Sequence, residues 1–463
     1  MPQATASQLE SSLSKSKFRA TFSYIGLFIV SAGDTVRYSI GFFAWGVICV
    51  LLAITAVYLF IKSNPRATLS RVPFTLTALL GFMLLSTAWS AYPAQTLLGY
   101  LGTLIATAFG LFLVATYSWR QLLAMFSRVF WFILAASFAF EVYAAKVVQG
   151  PIAPIFKNYK GPVPPSGAYY WTQGWLFKGA RIQGIVGNAN LLAYIAMLGF
   201  IMFAIRLSIK SGKVWFNISG LLMATAAFAL TRSAGIGFAM SLAFVVALVA
   251  LLVEGHDRET RHRYYRVAWT IFGIGAFFVL VYRAQIFTLI GKSPDMTGRL
   301  DIWKAVLGLI SQRPVLGWGW ISYWMPGVKP YEGLIVRDNV TYYQAHNSYL
   351  DVWLQLGVFG FILFVSMLVI TFIKLWRLAV RHTSPLYLWP ILVFVALLGQ
   401  NFTESRMIIE LGWLLVLIFA IKVNEPAETL EPRGAEPKRL GIRFFGRFLN
   451  RVSESGKVDH EVQ

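Results

Sequence analysis

Read from one end to the other, the chain gathers its apolar residues into long runs separated by short polar stretches. The runs at 41–61, at 234–253 and at 267–281 with its flanks are long enough, at more than about 18 residues, to read as transmembrane helices. Inside a bilayer the backbone must satisfy its own hydrogen bonds, so an all-α bundle follows. The pattern predicts about twelve spans, at 20–33, 40–61, 72–90, 95–116, 121–147, 186–206, 214–231, 234–253, 266–289, 347–373, 384–401 and 406–423. The expected fold is therefore a polytopic membrane bundle with a long, partly helical outer loop. It comprises a polar N-terminal tail at 1–19, a transmembrane region at 20–423 and a polar, charged, disordered tail at 424–463. The first apolar segment follows a polar stretch and lacks a small-residue cleavage site, so it is not expected to be a cleaved signal.

Basic residues give the connections a direction. Lys15, Lys17 and Arg19 precede the first span. Lys62, Arg66 and Arg71, then Arg120, Lys210 and Lys213 follow at every second connection. The alternation continues with Arg258, Arg261, Arg263 and Arg266, and with Lys374, Arg377 and Arg381. The positive-inside rule then places both termini in the cytoplasm and the connections at 148–185 and 290–346 outside.

Composition supports this reading. The 463 residues are 57% hydrophobic and 13% charged, well below the roughly 25% charge of soluble domains. The net charge of +21 would suggest nucleic acid on a soluble protein, but basic loops on a membrane protein chiefly set topology, so no nucleic-acid partner is expected. The lone Cys49 excludes an internal disulfide and any cysteine-rich metal site, while sixteen Trp and twenty Tyr suit interfacial belts.

Four outward segments carry candidate chemistry. KGARIQGIVGNANLLAY holds Lys178, Arg181 and Asn190; LTRSAGIG places Arg232 in a very short turn between two apolar spans. TGRLDIWKAVLGLISQRPVLGWGW opens an amphipathic helix at Arg299, with Leu300, Trp303, Leu307 and Ile310 at helical spacing and Pro314 ending the run. The fourth, YYQAHNSYLDVWLQLG, puts His346 where an apolar helix begins.

Arg181 and Arg299 could simply anchor lipid headgroups. Arg232 is expected to lie in a hairpin with little room for water, where an arginine needs an anionic partner. The main outer acids are Asp295, Asp301, Glu332, Asp338, Asp351 and Glu404, fewer than the cations, which suggests that the missing anion is a ligand. The planar arginine fork suits phosphate. A histidine near a helix start is often structural, but the helix dipole and nearby arginines would favour a neutral imidazole able to accept a proton, with Asp351 a possible orienting partner. GKS at 291–293 is no phosphate loop, since position 286 is Ile where such a loop needs Gly, and no cluster has metal-ligand spacing.

Taken together, these pieces resemble the O-antigen ligase and polysaccharide polymerase superfamily of bacterial membrane glycosyltransferases. The likeness covers about 180–410. It rests on Arg-Ile-Gln-Gly…Gly-Asn-Ala-Asn at 181–190, Thr231-Arg232-Ser233, Thr297-Gly298-Arg299 with Ile302-Trp303, Arg313-Pro314…Gly317-Trp318-Gly319, His346-Asn347-Ser348-Tyr349-Leu350-Asp351 and Asn401-Phe402-Thr403-Glu404-Ser405. Ala234 departs from the pattern, standing where many members carry a second arginine or a polar residue. The resemblance implies a GT-C-like, metal-independent, inverting transferase that needs no cofactor. It would move a glycan from polyprenyl pyrophosphate to a sugar hydroxyl of a glycan or glycolipid acceptor, on the outer face of the cytoplasmic membrane. Arg232 and Arg299 would hold the pyrophosphate with help from Arg181, and His346 would act as base. Glu404, Asn190 and Asn347 are weaker substrate-binding candidates. A polymerase is the leading expectation, a ligase to lipid A core the alternative. A flippase of the same lipid-linked glycan is the reading of another class, disfavoured because the cytoplasmic halves of the spans hold almost no polar path.

Overall fold

Each expected span overlaps a helix, and several of these helices begin at a side-chain cap. The computed structural model describes residues 6–63, 65–156, 169–254, 256–282, 285, 298–337, 340–382 and 384–426. Its helices are α1 (Ala6–Ser31), α2 (Gly33–Ile61), α3 (Pro65–Leu69), α4 (Phe74–Leu85), α5 (Pro93–Thr116), α6 (Trp119–Tyr143) and α7 (Ala189–Ser208). They continue as α8 (Val214–Thr231), α9 (Ala234–Leu252), α10 (Arg258–Val281), α11 (Arg299–Gln312), α12 (Ser348–Arg381), α13 (Leu388–Gln400) and α14 (Glu410–Lys422). Seven helices are long and apolar enough to cross a membrane: α2, α5, α6 with its π-helical extension to Val148, α7, α8, α9 and α12. Phe74–Ala88 and Pro385–Gln400 are shorter apolar helices. The protein is thus an all-helical, polytopic membrane bundle, apart from a two-residue ribbon pairing Val336–Arg337 with Val340–Thr341.

Several helices overrun their apolar parts. α1 starts at Ala6 and α10 at Arg258, inside the polar flanks. Asp257 caps α10 by accepting from the Glu259 amide, and a polar or charged opening does not stop a helix, so hydropathy alone cuts these helices short. Ser118 and Gln121 form a reciprocal capping box at the start of α6; the Asn188 and Asn347 side chains cap α7 and α12. The expected disordered tail beyond Pro426, the outer end of the ninth span, the GKS stretch, Asp295, Thr297 and Asp338 lie outside the described residues, whereas Asn424 and Glu425 are ordered against Arg71.

α7 is apolar all round and buried along nearly its whole length, as are α13 and α14, so these three occupy the centre. α8 and α6 pack on α7, α9 on α13, and α5 on α14 and α2. Small residues permit the close approaches: a Cβ on Gly220 would sit 2.5 Å from the Phe203 ring, and one on Gly399 would sit 2.7 Å from Leu242. α2 and α9 are mostly exposed and form the periphery.

Residues 298–337 and 340–347 form a cover with its own small core of Ile302, Val306, Ile310, Ile321, Trp324 and Tyr331. Here the expected apolar stripe is corrected in part, since Ile310 is buried and Trp303 packs on this core. Ile302, Val306, Leu309 and Ile310 face inward, whereas Leu300 and Leu307 are each 46% exposed. α11 is apolar on two sides, and its packing against α12 selects the side the spacing alone did not favour.

The cover is bonded to a kink in α12. Gly357, at φ 63 and ψ −169, breaks the helical ladder. The Val358 amide turns to Pro314 O at 2.9 Å, and the freed Leu354 and Gln355 carbonyls accept from the Trp318 and Gly319 amides at 3.0 and 2.9 Å. Gln355 Oε1 accepts from the Ile321 and Ser322 amides, both at 2.9 Å. The kink therefore re-uses its backbone groups rather than leaving them unpaired. Only glycine holds the Gly357 conformation cheaply, and a Cβ there would overlap the Val315 carbonyl. Gly357→Ala is expected to lower the thermal unfolding midpoint in detergent, reflecting a cost of at least about 1–3 kcal/mol. Gly308→Ala, where a Cβ meets nothing within 4 Å, should leave the midpoint unchanged or raise it.

Candidate active site

The α13–α14 connection, 401–409, brings the expected residues together. Asn401 anchors it: its carbonyl accepts from the Ser348 amide at 3.0 Å, and its side-chain oxygen accepts from Met407 N at 2.7 Å and Ser348 Oγ at 2.5 Å. Ser405 accepts from the Asn347 amide at 3.0 Å and donates to Asp351. The loop is thereby tied to the first turn of α12, immediately after His346.

Glu404 is the hub. Its Oε2 lies 3.1 Å from His346 Nδ1. Its Oε1 accepts from Asn190 Nδ2 at 2.8 Å and pairs with Arg299 Nη2 at 3.1 Å. Arg299 Nε also donates to Thr403 O at 3.1 Å. Arg181 donates from Nη2 to Asn190 Oδ1 at 2.5 Å and from Nε to Thr231 O at 2.6 Å, and Ser233 donates to the same Asn190 oxygen at 3.1 Å. One connected network thus holds Arg181, Asn190, Arg299, His346 and Glu404.

Arg232 sits between two of its members, Thr231 and Ser233, but its own side chain is exposed and makes no hydrogen bond or ion pair among the described residues. The expected burial of Arg232 is corrected: it is the left-handed cap of α8 (φ 48, ψ 44), which carries it off the helix end into open space. His346 also takes a left-handed conformation, at φ 50. Such backbone strain in non-glycine residues clusters at functional sites. Asn347 spends its side-chain oxygen on the Tyr349 and Leu350 amides, at 3.0 and 3.2 Å, as the α12 cap.

Asp351 does not orient His346. It accepts from the Ala345 amide at 3.1 Å and from Ser405, fixing the backbone on both sides of the site, while Glu404 meets the ring. The carboxylates at this end of the bundle also exceed those expected. Glu141, fully buried, accepts from the Gln183 and Gly184 amides at 2.9 and 2.7 Å and from Thr172 at 3.0 Å, so it holds the loop that carries Arg181. Asp34 and Glu410 bracket Arg37 at 2.7 and 2.8 Å. Hydropathy concealed Glu141 and Glu410, because both belong to apolar helices. Arg406, two residues beyond Glu404, is a further half-buried cation whose charge reaches it.

Burial opposes ionisation of Glu404, but His346, Arg299 and Arg406 outweigh it and hold the carboxyl down at about 2. Burial lowers the Arg181 pKa, Glu404 raises it and Arg299 lowers it again.

An all-helical membrane bundle with a histidine–carboxylate–arginine cluster at one end defines the class. The O-antigen ligase family matches residues 184–365, a stretch containing Asn190, Arg232, Arg299 and His346 but neither Arg181 nor Glu404. The chain is also 24% identical over 288 residues to the exopolysaccharide production protein ExoQ of Rhizobium meliloti (strain 1021). That alignment covers 59% of this chain and 66% of the relative. These matches support the O-antigen ligase and polysaccharide polymerase superfamily, which the motifs resemble.

A carboxyl whose pKa falls on folding stabilises the fold above its unfolded value, here 4.5, and that stabilisation disappears as pH falls towards about 2. The unfolding midpoint of the wild type is expected to drop on acidification through this window. Glu404→Gln, already lacking the charge, should drop less there and start lower at neutral pH. Parallel curves for the two proteins would refute the ionised hub.

Proposed function

We propose that the protein transfers a glycan from a polyprenyl pyrophosphate to a sugar hydroxyl, at the outer face of the bacterial cytoplasmic membrane. The observation that carries this reading is the shared anchor: one carboxylate meets the candidate base on Oε2 and a candidate diphosphate cation on Oε1. One side chain thus fixes the candidate base and the candidate cation relative to each other. The recurrence of basic residues at the opposite helix ends supports the sidedness.

Glu404, ionised, accepts from His346 Nδ1–H, which leaves the Nε2 lone pair for the acceptor hydroxyl. Nε2 takes the hydroxyl proton as the oxygen attacks the anomeric carbon from the side opposite the diphosphate. The bond from that carbon to the diphosphate breaks, its electron pair leaves on the phosphate oxygen, and configuration inverts. Arg232 and Arg299, helped by Arg181, neutralise the charge that develops on the leaving diphosphate. Arg232 offers the open fork.

A polysaccharide polymerase is the leading form, in keeping with the relative's name in exopolysaccharide production. A ligase delivering glycan to lipid A core is the alternative, in keeping with the family description. Deleting the gene separates them: loss of long chains with single repeats retained marks a polymerase, whereas lipid-linked chains that never reach the envelope lipid mark a ligase. A flippase finds less support, since the cluster lies at one end of the bundle.

In a purified transfer assay, His346→Ala is expected to fold normally and lose activity by about 100- to 10,000-fold. Retention of near-wild-type rate removes His346 as the base. Arg232→Lys should cost on the order of 2.7–4 kcal/mol of barrier, because a point charge cannot replace the fork. Transfer should survive EDTA; abolition by chelator and recovery on adding a divalent ion would overturn the arginine-only account.

A further inference from the structure

The opposite end of the bundle holds a second charged cluster that the transfer reaction does not use. A cavity of about 230 Å³ there is lined by Arg71, Tyr117, Trp119, Arg120, Lys422 and Glu425, among others. Among the described lining residues are three cations, Arg71, Arg120 and Lys422, and one carboxylate, Glu425. Glu425 Oε1 takes both Lys422 Nζ, at 2.5 Å, and Arg71 Nη1, at 3.3 Å, so a single acceptor oxygen is shared by two cations. The Lys422 side chain is 1% exposed, a deeply buried ammonium for a helix end. Such groups are rarely buried unless their charge is compensated.

Trp119 supplies an independent sign of a missing acceptor. It lines the cavity, is 3% exposed, and its indole Nε1–H has no hydrogen-bond partner among the described residues. Buried polar groups are nearly always paired. Trp119 is also the first residue of α6, so its backbone amide has no intrahelical acceptor and the helix dipole favours an anion there. A neighbouring hollow of about 620 Å³ shares Arg71 and adds Ser70 and Lys374, extending the cationic lining outward.

We propose that this cavity binds a phosphate group, supplied by the headgroup of an anionic phospholipid in the adjacent leaflet. Two arginine forks suit phosphate oxygens, and the buried indole donor suits an oxygen reaching deeper. Basic pockets between membrane helices favour anionic over zwitterionic headgroups, and the cluster sits among the basic connections of this end.

The test uses the full chain in an uncharged detergent, with lipid binding read by native mass spectrometry and by the unfolding midpoint. Phosphatidylglycerol, phosphatidylcholine and inorganic phosphate are the probes. Phosphatidylglycerol is expected to bind and raise the midpoint, phosphatidylcholine is not. Arg71→Gln with Arg120→Gln should weaken phosphatidylglycerol binding by about tenfold or more. Glu425→Gln, which removes the competing carboxylate, should strengthen it, an effect that a merely structural ion-pair network would not produce. If the double variant folds poorly, Arg120→Gln alone still gives the weakening. Equal protection by inorganic phosphate would support the phosphate site with a soluble source. Absence of binding to the wild type, or unchanged binding in the variants, overturns the proposal.

Discussion

A carboxylate removed from water must be matched by donors and opposite charge, and Glu404 meets that demand with groups from three distant parts of the chain. It is 4% exposed and is met by His346, Asn190 and Arg299. An unpaired ion in such surroundings would cost several kcal/mol, so the start of α7, the start of α11 and the approach to α12 are drawn to one point. The same contacts that stabilise the ion place an imidazole, a guanidinium and an amide side by side.

Other buried groups keep that point in register. Asn401, Ser405 and Asp351 lock the 401–409 loop to the first turn of α12, and Glu141 fixes the loop that delivers Arg181. The kink at Gly357 trades helical hydrogen bonds for bonds to the cover, which is thereby held over α12 by backbone pairing rather than by apolar contact alone. Left-handed backbone at Arg232 and His346 costs stability locally, and rigid neighbours make that cost sustainable.

The two ends of the bundle use charge differently. At the site end, His346, Asn190 and Arg299 converge on one ionised carboxylate, Glu404. At the other end, Arg71 and Lys422 share Glu425 around a cavity whose indole donor has no partner among the described residues. Both arrangements follow from the same constraint: a positive group near a low-dielectric interior is stable only beside an anion, whether a side chain or a ligand.

The sequence by itself determined the helices, because long apolar runs have few alternatives in a bilayer and their ends carry caps and charges. It also identified His346, Arg181, Arg299 and Glu404 as candidates, since polar residue types stand out in apolar surroundings. Their partnerships were decided only by the tertiary structure. Asp351, five residues from His346, looked like its partner, yet Glu404, 58 residues away, holds the ring. The buried face of α11 was another such decision, since spacing offers two apolar sides and only packing against α12 selects one. Glu141, Glu410 and Arg406 stayed hidden because a charge inside or beside an apolar helix gains meaning only from what folds against it. Periodicity is a local property of a chain, whereas ion pairing is a property of positions in space, and that difference separates what could be read from what had to be seen.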